Sequence, residues 1–275
     1  FDLVAQGASG LMSITGPGND DGPVKVGAPV TDITAGILAA MGAAAAYAGK
    51  QKTGLGTRVD TSLFEAGITH TYGQSAIALA TGESPQALGS AHPLNAPYQA
   101  FPTADGYINI GAANQRNWLR LLDVIGAPEL NNDPRFSSNA DRMANLDALV
   151  EVLNGYFRHH ASEVWLEKLD HAGVPAGPIL SITEMLEHPQ ALARDMVVHT
   201  EHDRVGPVKG LGMAVKFHGT QPVASRAAPV HGQHSVQVLK ELGYSDTEIQ
   251  SLFKRGVIHL SLIHISEPTR RITIA

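Results

Sequence analysis

The chain has 275 residues, of which 43% are hydrophobic and 17% are charged, and its formal net charge is −6. This length suits one or two domains with a sizeable core, and the composition excludes a disordered chain and a strongly basic nucleic-acid-binding protein. There is no cysteine, which excludes a disulfide framework, a thiolate zinc site and a cysteine nucleophile, and indicates a cytoplasmic protein.

The longest apolar segment, VTDITAGILAAMGAAAAYAG, occupies residues 30–49. It is almost long enough to span a bilayer. Ala and Gly dominate it, however, so we predict a helix buried inside protein and no membrane span. The Gly-rich stretch QKTGLGT ends this helix, and residues 59–81 predict a second, mostly buried helix.

From residue 82 onward the pattern is that of a mixed α and β protein. GESPQALGSAHPLNAP, residues 82–97, is a long polar loop of the kind that often carries function. YQAF and YINIGA, on either side of PTADG, predict a β-hairpin. Amphipathic helices are predicted over residues 114–125, 139–158 and 162–171.

The last third of the chain contains two capping boxes and two short strands. Ser181 and Ser245 are each followed three residues later by Glu, which marks the start of a helix. Strands are predicted over residues 196–202 and 208–217, with a turn at Gly206-Pro207 between them.

The two ends of the chain differ from the rest. No Met opens it, and FDLVAQGASG has no basic region or cleavage pattern of a signal peptide, so we expect a preceding part of the protein to lie outside this chain. The last stretch, LSLIHISEPTRRITIA, resembles translated sequencing-adapter read-through. Residues from about His259 onward are therefore left out of the functional interpretation.

Asp32 opens the first apolar helix and has two interpretations. As an N-cap, its carboxylate would accept a backbone N–H of the first turn. As a nucleophile it is weakly basic, so it needs an activated electrophile such as a thioester, held in contact, and donors for the developing oxyanion. Asp60 or Glu65 could pair with it as an acid/base set.

The 13 histidines give no predictable metal site. His159-His160, and His231 with His234, lack a third ligand at useful spacing. His92 stands apart because it lies in the polar loop, where it is either structural or catalytic. A serine hydrolase, a dinucleotide-binding site and a P-loop are disfavoured because their motifs are absent from the sequence.

Several separated motifs, in this order, resemble the class III CoA-transferase family, which includes formyl-CoA and carnitine CoA-transferases. They are FDLVAQGASGLMSITG, TDITAGILAAMGAAAAYAGKQKTGLGTRVDTSLFE, GSAHPLNAPYQAFPTADGYINIGAANQRNW, GVPAGPI and SDTEIQSLFKRGVI. The resemblance covers nearly all of residues 1–258. The AHPLNAPYQAF segment is similar to the dicarboxylate-handling branch, such as succinate–hydroxymethylglutarate CoA-transferase.

The resemblance implies that Asp32 is the nucleophile. The residue would both cap its helix and be presented by that helix. Asp32 would pass through an aspartyl anhydride and an aspartyl-CoA thioester while CoA moves from an acyl-CoA to a small carboxylic acid. The family's glycine-rich loop falls on Gly89, Ser90, Ala91 and His92, where a single glycine remains. Leu63 falls at the CoA thiol end. Coenzyme A is a substrate, and no permanently bound cofactor is implied.

Two alternatives accompany this interpretation. The α-methylacyl-CoA racemases of the same family keep the aspartate and add a histidine in a G-H-D sequence, but here Phe1 takes the histidine position before Asp2. The second alternative is an inactive, oligomerising fragment, since family members carry a Rossmann-like N-terminal half with most CoA contacts. The resemblance also implies an interlaced homodimer, and we predict that this chain alone binds CoA weakly or not at all.

The implied fold is an α/β class III CoA-transferase fold, present in part. It would comprise the helical part of the large domain and a smaller α+β domain. The expected segments are a large-domain segment with the nucleophile helix (1–81), a linker loop and small domain (82–217), a return segment (218–258) and a non-native tail (259–275).

Overall fold

The computed structural model describes residues 1–18, 22–217, 219 and 226–259. The chain forms two compact units, Phe1–Ile179 and Leu180–Ala275. The tail from residue 260 lies outside the described residues, as does most of the expected start of the return segment at residues 218–225.

The first unit begins with a group of helices. They are α1 (Asp2–Ala8), α2 (Val30–Thr53), α3 (Leu63–His70) and α4 (Tyr72–Thr81), with a 3-10 turn at Leu11–Ile14. The first three pack on one another, and Ala66 and Gly67 of α3 are buried at their junction. Small side chains at this junction let the helix backbones approach closely.

The prediction that α2 is buried was wrong for this chain. Thr31 is its one buried residue, and Ile33, Ile37 and Met41, which follow one another at four-residue intervals, are 51%, 62% and 62% exposed. An apolar pattern shows that a helix needs cover but does not show what covers it. By length and composition α2 could also cross a membrane, although core helices of soluble proteins satisfy the same criteria.

The predicted helix over residues 59–81 is two helices, with a break at Thr71. The Thr71 hydroxyl donates to the carbonyl of Ile68 at 2.9 Å, a local bond that competes with continuation of the helix. The second of the two, α4, has no buried residue, so the expected burial was wrong there as well.

The second part of the first unit is a small sheet covered by helices. Strands β1 (Tyr98–Pro102) and β2 (Tyr107–Gly111) form the predicted hairpin, and β3 (Ala176–Pro178) extends it in the antiparallel order β1-β2-β3. The helices are α5 (Gln115–Ile125), α6 (Asn139–Ala144), α7 (Leu146–Phe157) and α8 (Ser162–His171). The single helix predicted over residues 139–158 is interrupted at Asn145, whose side chain donates to the carbonyl of Asp141 at 2.9 Å.

The hydrophobic core of the first unit lies between this sheet and these helices. Its largest fully buried side chains include those of Phe101, Trp118, Leu153 and Phe157. Phe157 contacts both Phe101 and Trp165, with ring centroids 5.2 and 5.1 Å apart. The core therefore holds the strand that follows the polar loop 82–97 in place.

The second unit contains four helices and a hairpin in its described residues. They are α9 (Ile182–Glu187), α10 (Pro189–Ala193), β4 (Val197–His202), β5 (Gly206–Leu211), α11 (Ser235–Glu241) and α12 (Asp246–Lys254). Both predicted capping boxes, at Ser181 and Ser245, are confirmed. The predicted turn at Gly206-Pro207 was wrong, because the turn occupies residues 203–205 and Gly206 begins β5 with a φ of +72°.

Candidate active site

Asp32 lies in the first turn of α2, and its side chain is exposed. The prediction that it caps this helix was wrong: the N-cap position is occupied by Pro29, and Asp32 is the third residue inside the helix. Within the described part of the chain its carboxylate makes no hydrogen bond or ion pair. The side chain is therefore presented to solvent without a partner that would compete with a substrate.

The cap of α2 comes instead from Asp2 on α1. Asp2 Oδ1 accepts from the backbone N–H of Thr31 at 3.0 Å and from its hydroxyl at 2.7 Å, while Oδ2 accepts from the amide of Gln6 at 2.7 Å. Burial acts to raise the pKa of Asp2, but these hydrogen bonds outweigh it and hold the pKa below its ordinary value of 3.8. Asp2 is thus ionised at the end of α2 that attracts negative charge.

Two of the other three backbone amides at the start of α2 have a hydrogen-bond acceptor among the described residues, and one has none. The N–H of Val30 donates to Ala28 at 2.8 Å and that of Ile33 to Pro29 at 3.1 Å. The N–H of Asp32 has no acceptor within the described residues. An amide without an acceptor in the described residues, at the positive end of a 24-residue helix, is a donor suited to an anionic group beside Asp32.

Leu63 is the first residue of α3 and is partly buried. Ser62 caps this helix by accepting the N–H of Glu65 at 3.2 Å. Further along α3, a Cβ on Gly67 would lie 2.6 Å from Ser9 Cβ and 3.4 Å from Thr31 Cγ2. Gly67 therefore permits the close contact of α3 with Ser9 at the end of α1, beside Thr31 of α2.

The predicted glycine-rich loop packs against the loop that follows the 3-10 turn. The N–H of Gly89 donates to the carbonyl of Gly16 at 2.7 Å, and Gly89 has a φ of +61°, a conformation that favours glycine. A side chain at Gly18 would collide with the carbonyl oxygen of Ala87. The two loops therefore meet backbone to backbone.

The other end of this loop is fixed to strand β1. Ser90 Oγ accepts the N–H of Ala100 at 3.0 Å, and the ring of His92 stacks on that of Tyr98 with centroids 5.1 Å apart. Nδ1 of His92 accepts the N–H of Leu94 at 3.1 Å. The neutral imidazole consequently carries its proton on Nε2, which is the nitrogen left to meet another group.

A cavity of about 680 Å³ opens beside this loop. The loop side contributes Pro17, Leu88 and Ala91, and the α7 side contributes Asp147, Glu151, Asn154 and Arg158. Asn154 Oδ1 is buried without a partner in the described residues. Asp32 and Leu63 do not line this cavity.

The structure thus brings the predicted site residues together in two groups. Gly89, Ser90, Ala91 and His92 form one fixed loop, while Asp32 and Leu63 lie on two helices that pack on each other. Among the described residues no hydrogen bond joins one group to the other. Asp60 pairs with Arg58 at 2.5 Å, and neither Asp60 nor Glu65 hydrogen-bonds to Asp32.

Sequence reasoning missed the roles of Asp2, Gln6 and Thr31. Asp2 and Thr31 are 29 positions apart in the chain, and neither stands in a local motif for such a contact. The burial of Gln6, which the structure shows, is the feature that points to distant partners, because buried polar groups are normally hydrogen-bonded.

Residues 1–235 match CoA-transferase family III. The chain belongs to this family, which confirms the resemblance read from its motifs. It is 34% identical over 259 residues to the human succinyl-CoA:glutarate CoA-transferase, with 94% of this chain and 59% of that protein covered. It is 35% identical over 244 residues to the acetyl-CoA:oxalate CoA-transferase of Acetobacter aceti, with 88% and 61% covered.

The fold is also that of solved family members. A CAIB/BAIF family protein from Brucella suis has a TM-score of 0.75 and 31% identity, with 88% of this chain and 62% of that one covered. The predicted α/β class III CoA-transferase fold is thereby confirmed. The chain spans about 60% of the length of the relatives that it matches.

Proposed function

We propose that the protein containing this chain transfers coenzyme A from an acyl-CoA thioester to a free carboxylic acid, with Asp32 as the nucleophile. Membership of the family and the names of both curated relatives support this activity. The observation that carries it is the Asp32 carboxylate itself, exposed and unpaired within the described residues at the positive end of α2.

The reaction proceeds through two anhydrides and one thioester. A carboxylate oxygen of Asp32 attacks the thioester carbonyl carbon, the C–S bond breaks, and CoA leaves as its thiolate. The thiolate attacks the Asp32 carbonyl carbon, which releases the donor acid as its carboxylate and leaves an aspartyl-CoA thioester. The acceptor carboxylate repeats these steps in reverse and regenerates Asp32.

No proton is transferred in this sequence, so a general base beside Asp32 is unnecessary. The chemistry requires proximity and donors for each oxyanion instead. The N–H of Asp32 is one such donor. The loop of Gly89, Ser90, Ala91 and His92 covers the intermediate, and Leu63 lines the CoA thiol end, as the family resemblance implies.

The acceptor that we propose is a small dicarboxylic acid. The human relative is named for glutarate and the Acetobacter aceti relative for oxalate. Coenzyme A is a substrate, and no permanently bound cofactor is proposed. A panel of succinate, glutarate, oxalate and acetate, each offered with succinyl-CoA or acetyl-CoA, would rank the acceptors.

We also propose that the protein is a cytoplasmic homodimer. The exposed stripe of Ile33, Ile37 and Met41 is an apolar surface that a soluble protein needs to cover, and the family resemblance implies an interlaced homodimer, whose second copy we propose as the cover. Sedimentation of the full-length protein tests the dimer; a monomer at micromolar concentration would contradict it.

The racemase alternative receives no support from the structure. Phe1 occupies the position of the second proton carrier, and its side chain has no ionisable group. Exchange of the α-proton of a 2-methylacyl-CoA with deuterated solvent, in the absence of an acceptor acid, would restore this alternative.

The test of the proposal compares two aspartates in the full-length protein. Asp32→Asn removes the nucleophile and should lower kcat/KM by at least about 10³-fold, in line with other removed nucleophiles. Asp60→Asn alters an exposed carboxylate paired with Arg58 and should leave kcat/KM within about twofold. Similar activities of the two variants would reject Asp32 as the nucleophile.

A further inference from the structure

The segment that leads into Asp32 is held by a buried polar cluster, made of Asp2 and Gln6 on α1 and Thr31 on α2. Gln6 and Thr31 are completely buried. One oxygen of Asp2 accepts both donors of Thr31, at 3.0 and 2.7 Å, and the other accepts from Gln6 at 2.7 Å. Thr31 immediately precedes Asp32, so this contact is one residue from the candidate nucleophile.

Gln6 extends the cluster to the loop before α2. Its Oε1 accepts the N–H of Val26 at 2.9 Å while its Nε2 donates to Asp2. Because the oxygen and the nitrogen of the amide each have a partner of the matching kind, a flipped side chain would lose both bonds. The backbone is therefore fixed to α1 on both sides of Pro29, at Val26 and at Thr31.

Among the described residues, the side chain of Asp32 has no hydrogen bond or ion pair that would orient it. The N-cap residue of α2, Pro29, provides no side-chain acceptor, and the ends of helices fray when they lack a cap. The point from which the Asp32 side chain projects is consequently set by the backbone of the first turn, which Asp2 holds through Thr31.

We propose that Asp2 is a positioning residue for the CoA-transfer reaction: its carboxylate fixes the first turn of α2 so that Asp32 faces the thioester. The inference rests on the proposed function of Asp32. A displacement of about 1 Å at a reacting group costs up to about 100-fold in rate, so a loosened first turn lowers kcat. Asp2 does not contact substrate in this account.

Asp105 provides a matched control elsewhere in the chain. Its Oδ1 accepts the backbone N–H of Ser162 at 2.8 Å and the Ser162 hydroxyl at 2.9 Å, so it caps α8 as Asp2 caps α2. Hydrogen bonds from Ser162 and Thr103 hold the pKa of Asp105 below its ordinary value, as at Asp2. It differs in having no link to Asp32.

The experiment measures kcat, KM and thermal stability in the full-length protein. Asp2→Asn should lower kcat by about 10- to 100-fold with KM for the acyl-CoA unchanged within about twofold. Asp105→Asn should lower the melting temperature by about as much as Asp2→Asn does, and should leave kcat unchanged.

Thr31 supplies an independent arm. Thr31→Val removes the hydroxyl donor and should lower kcat, as Asp2→Asn does. Thr31→Ser keeps the donor and should retain the wild-type kcat. If both residues act through one contact, the double variant Asp2→Asn/Thr31→Val loses little beyond the larger single effect. If Asp2→Asn does not fold, the Thr31 pair decides the question.

The outcomes separate this inference from the proposed function. Unchanged kcat in Asp2→Asn, or in Thr31→Val where the former does not fold, overturns the positioning role even if Asp32 is essential. Equal kcat losses in Asp2→Asn and Asp105→Asn also overturn it, because they would reflect general destabilisation. Retained activity in Asp32→Asn would instead remove the proposed function.

Discussion

The two parts of the first unit are stabilised in different ways. The sheet part, residues 98–178, closes its own apolar core around Phe101, Trp118 and Phe157. The helical part, residues 1–81, buries polar side chains such as Gln6 and Thr31 where its helices meet and leaves α2 exposed. The scaffold of the polar loop therefore has a hydrophobic core of its own, whereas the helix that carries Asp32 is held by a few polar contacts and has an exposed apolar face.

The largest expected effect is the removal of Arg142 from the sheet part. Its guanidinium is completely buried and donates to the carbonyls of Ala96, Phe136 and Ala113 at 2.7, 3.0 and 2.9 Å. Arg142→Ala leaves these acceptors unpaired, at about 1–3 kcal/mol each, and should lower the free energy of unfolding by about 3–5 kcal/mol. Urea denaturation measures the loss.

Arg135→Ala is the control for this substitution. Arg135 forms an exposed ion pair with Asp133 at 2.7 Å, so its removal should cost no more than about 1 kcal/mol. A comparable loss of unfolding free energy in both variants would show that the hydrogen bonds of Arg142, including the one to Ala96 before β1, are not important for stability.

The second prediction contrasts one apolar residue from each part. Leu153→Ala opens a cavity in the closed core and should cost about 2–5 kcal/mol of unfolding free energy. Ile37→Ala, on the exposed face of α2, should change the stability of this chain by no more than about 0.5 kcal/mol. Equal destabilisation of the isolated chain by both variants would show that the Ile37 face of α2 is buried in solution.

The sequence predicted those features that depend on neighbouring residues. The β1–β2 hairpin follows from YQAF and YINIGA around a turn, and the caps at Ser181 and Ser245 follow from a three-residue spacing. The exposure of α2 in this chain could not be predicted, because composition does not specify the covering surface. The contact of Asp2 with Thr31 escaped prediction because a hydrogen bond between distant segments leaves no local pattern.

A third, smaller effect is expected at the helix junction. A methyl group on Gly67 would collide with Ser9 and press on Thr31, so Gly67→Ala should cost about 1–3 kcal/mol and lower kcat. Gly73→Ala meets nothing within 4 Å on α4 and should be neutral or stabilise by up to about 1 kcal/mol. Differential scanning fluorimetry and the transfer assay test the pair.

If Gly67→Ala melts at the wild-type temperature and keeps its kcat, the close contact of α3 with the start of α2 has no importance for the site. A loss in Gly73→Ala as large as that in Gly67→Ala would point to the helices in general and not to the junction.

The smallest expected effect is a decrease in the free energy of unfolding at acidic pH. The pKa values of Asp2, Asp105, Asp141, Glu184 and Glu248 all lie below their ordinary values of 3.8 for Asp and 4.5 for Glu. At Asp141, Glu184 and Glu248 the main cause is a hydrogen bond from a neighbouring serine that exists only when the chain is folded. Stability from a lowered pKa is present above the ordinary value and is lost as the pH falls through the folded value.

The free energy of unfolding should therefore be level near pH 6 and decline below about pH 4. Asp105→Asn should reduce the decline, since it removes one group that binds a proton more readily in the unfolded chain than in the folded one. A decline of the same steepness in Asp105→Asn would contradict the role of this carboxylate in the sheet part.

The most direct test of the central claim is covalent trapping of the acylated aspartate. The full-length protein is mixed with succinyl-CoA and quenched with hydroxylamine, and its peptides are mapped by mass spectrometry beside those of Asp32→Asn. We expect a hydroxamate on the peptide from residues 30–49, located at Asp32 and missing from the variant. An unmodified Asp32 in an enzyme that turns over, or a hydroxamate on another carboxylate, would contradict it.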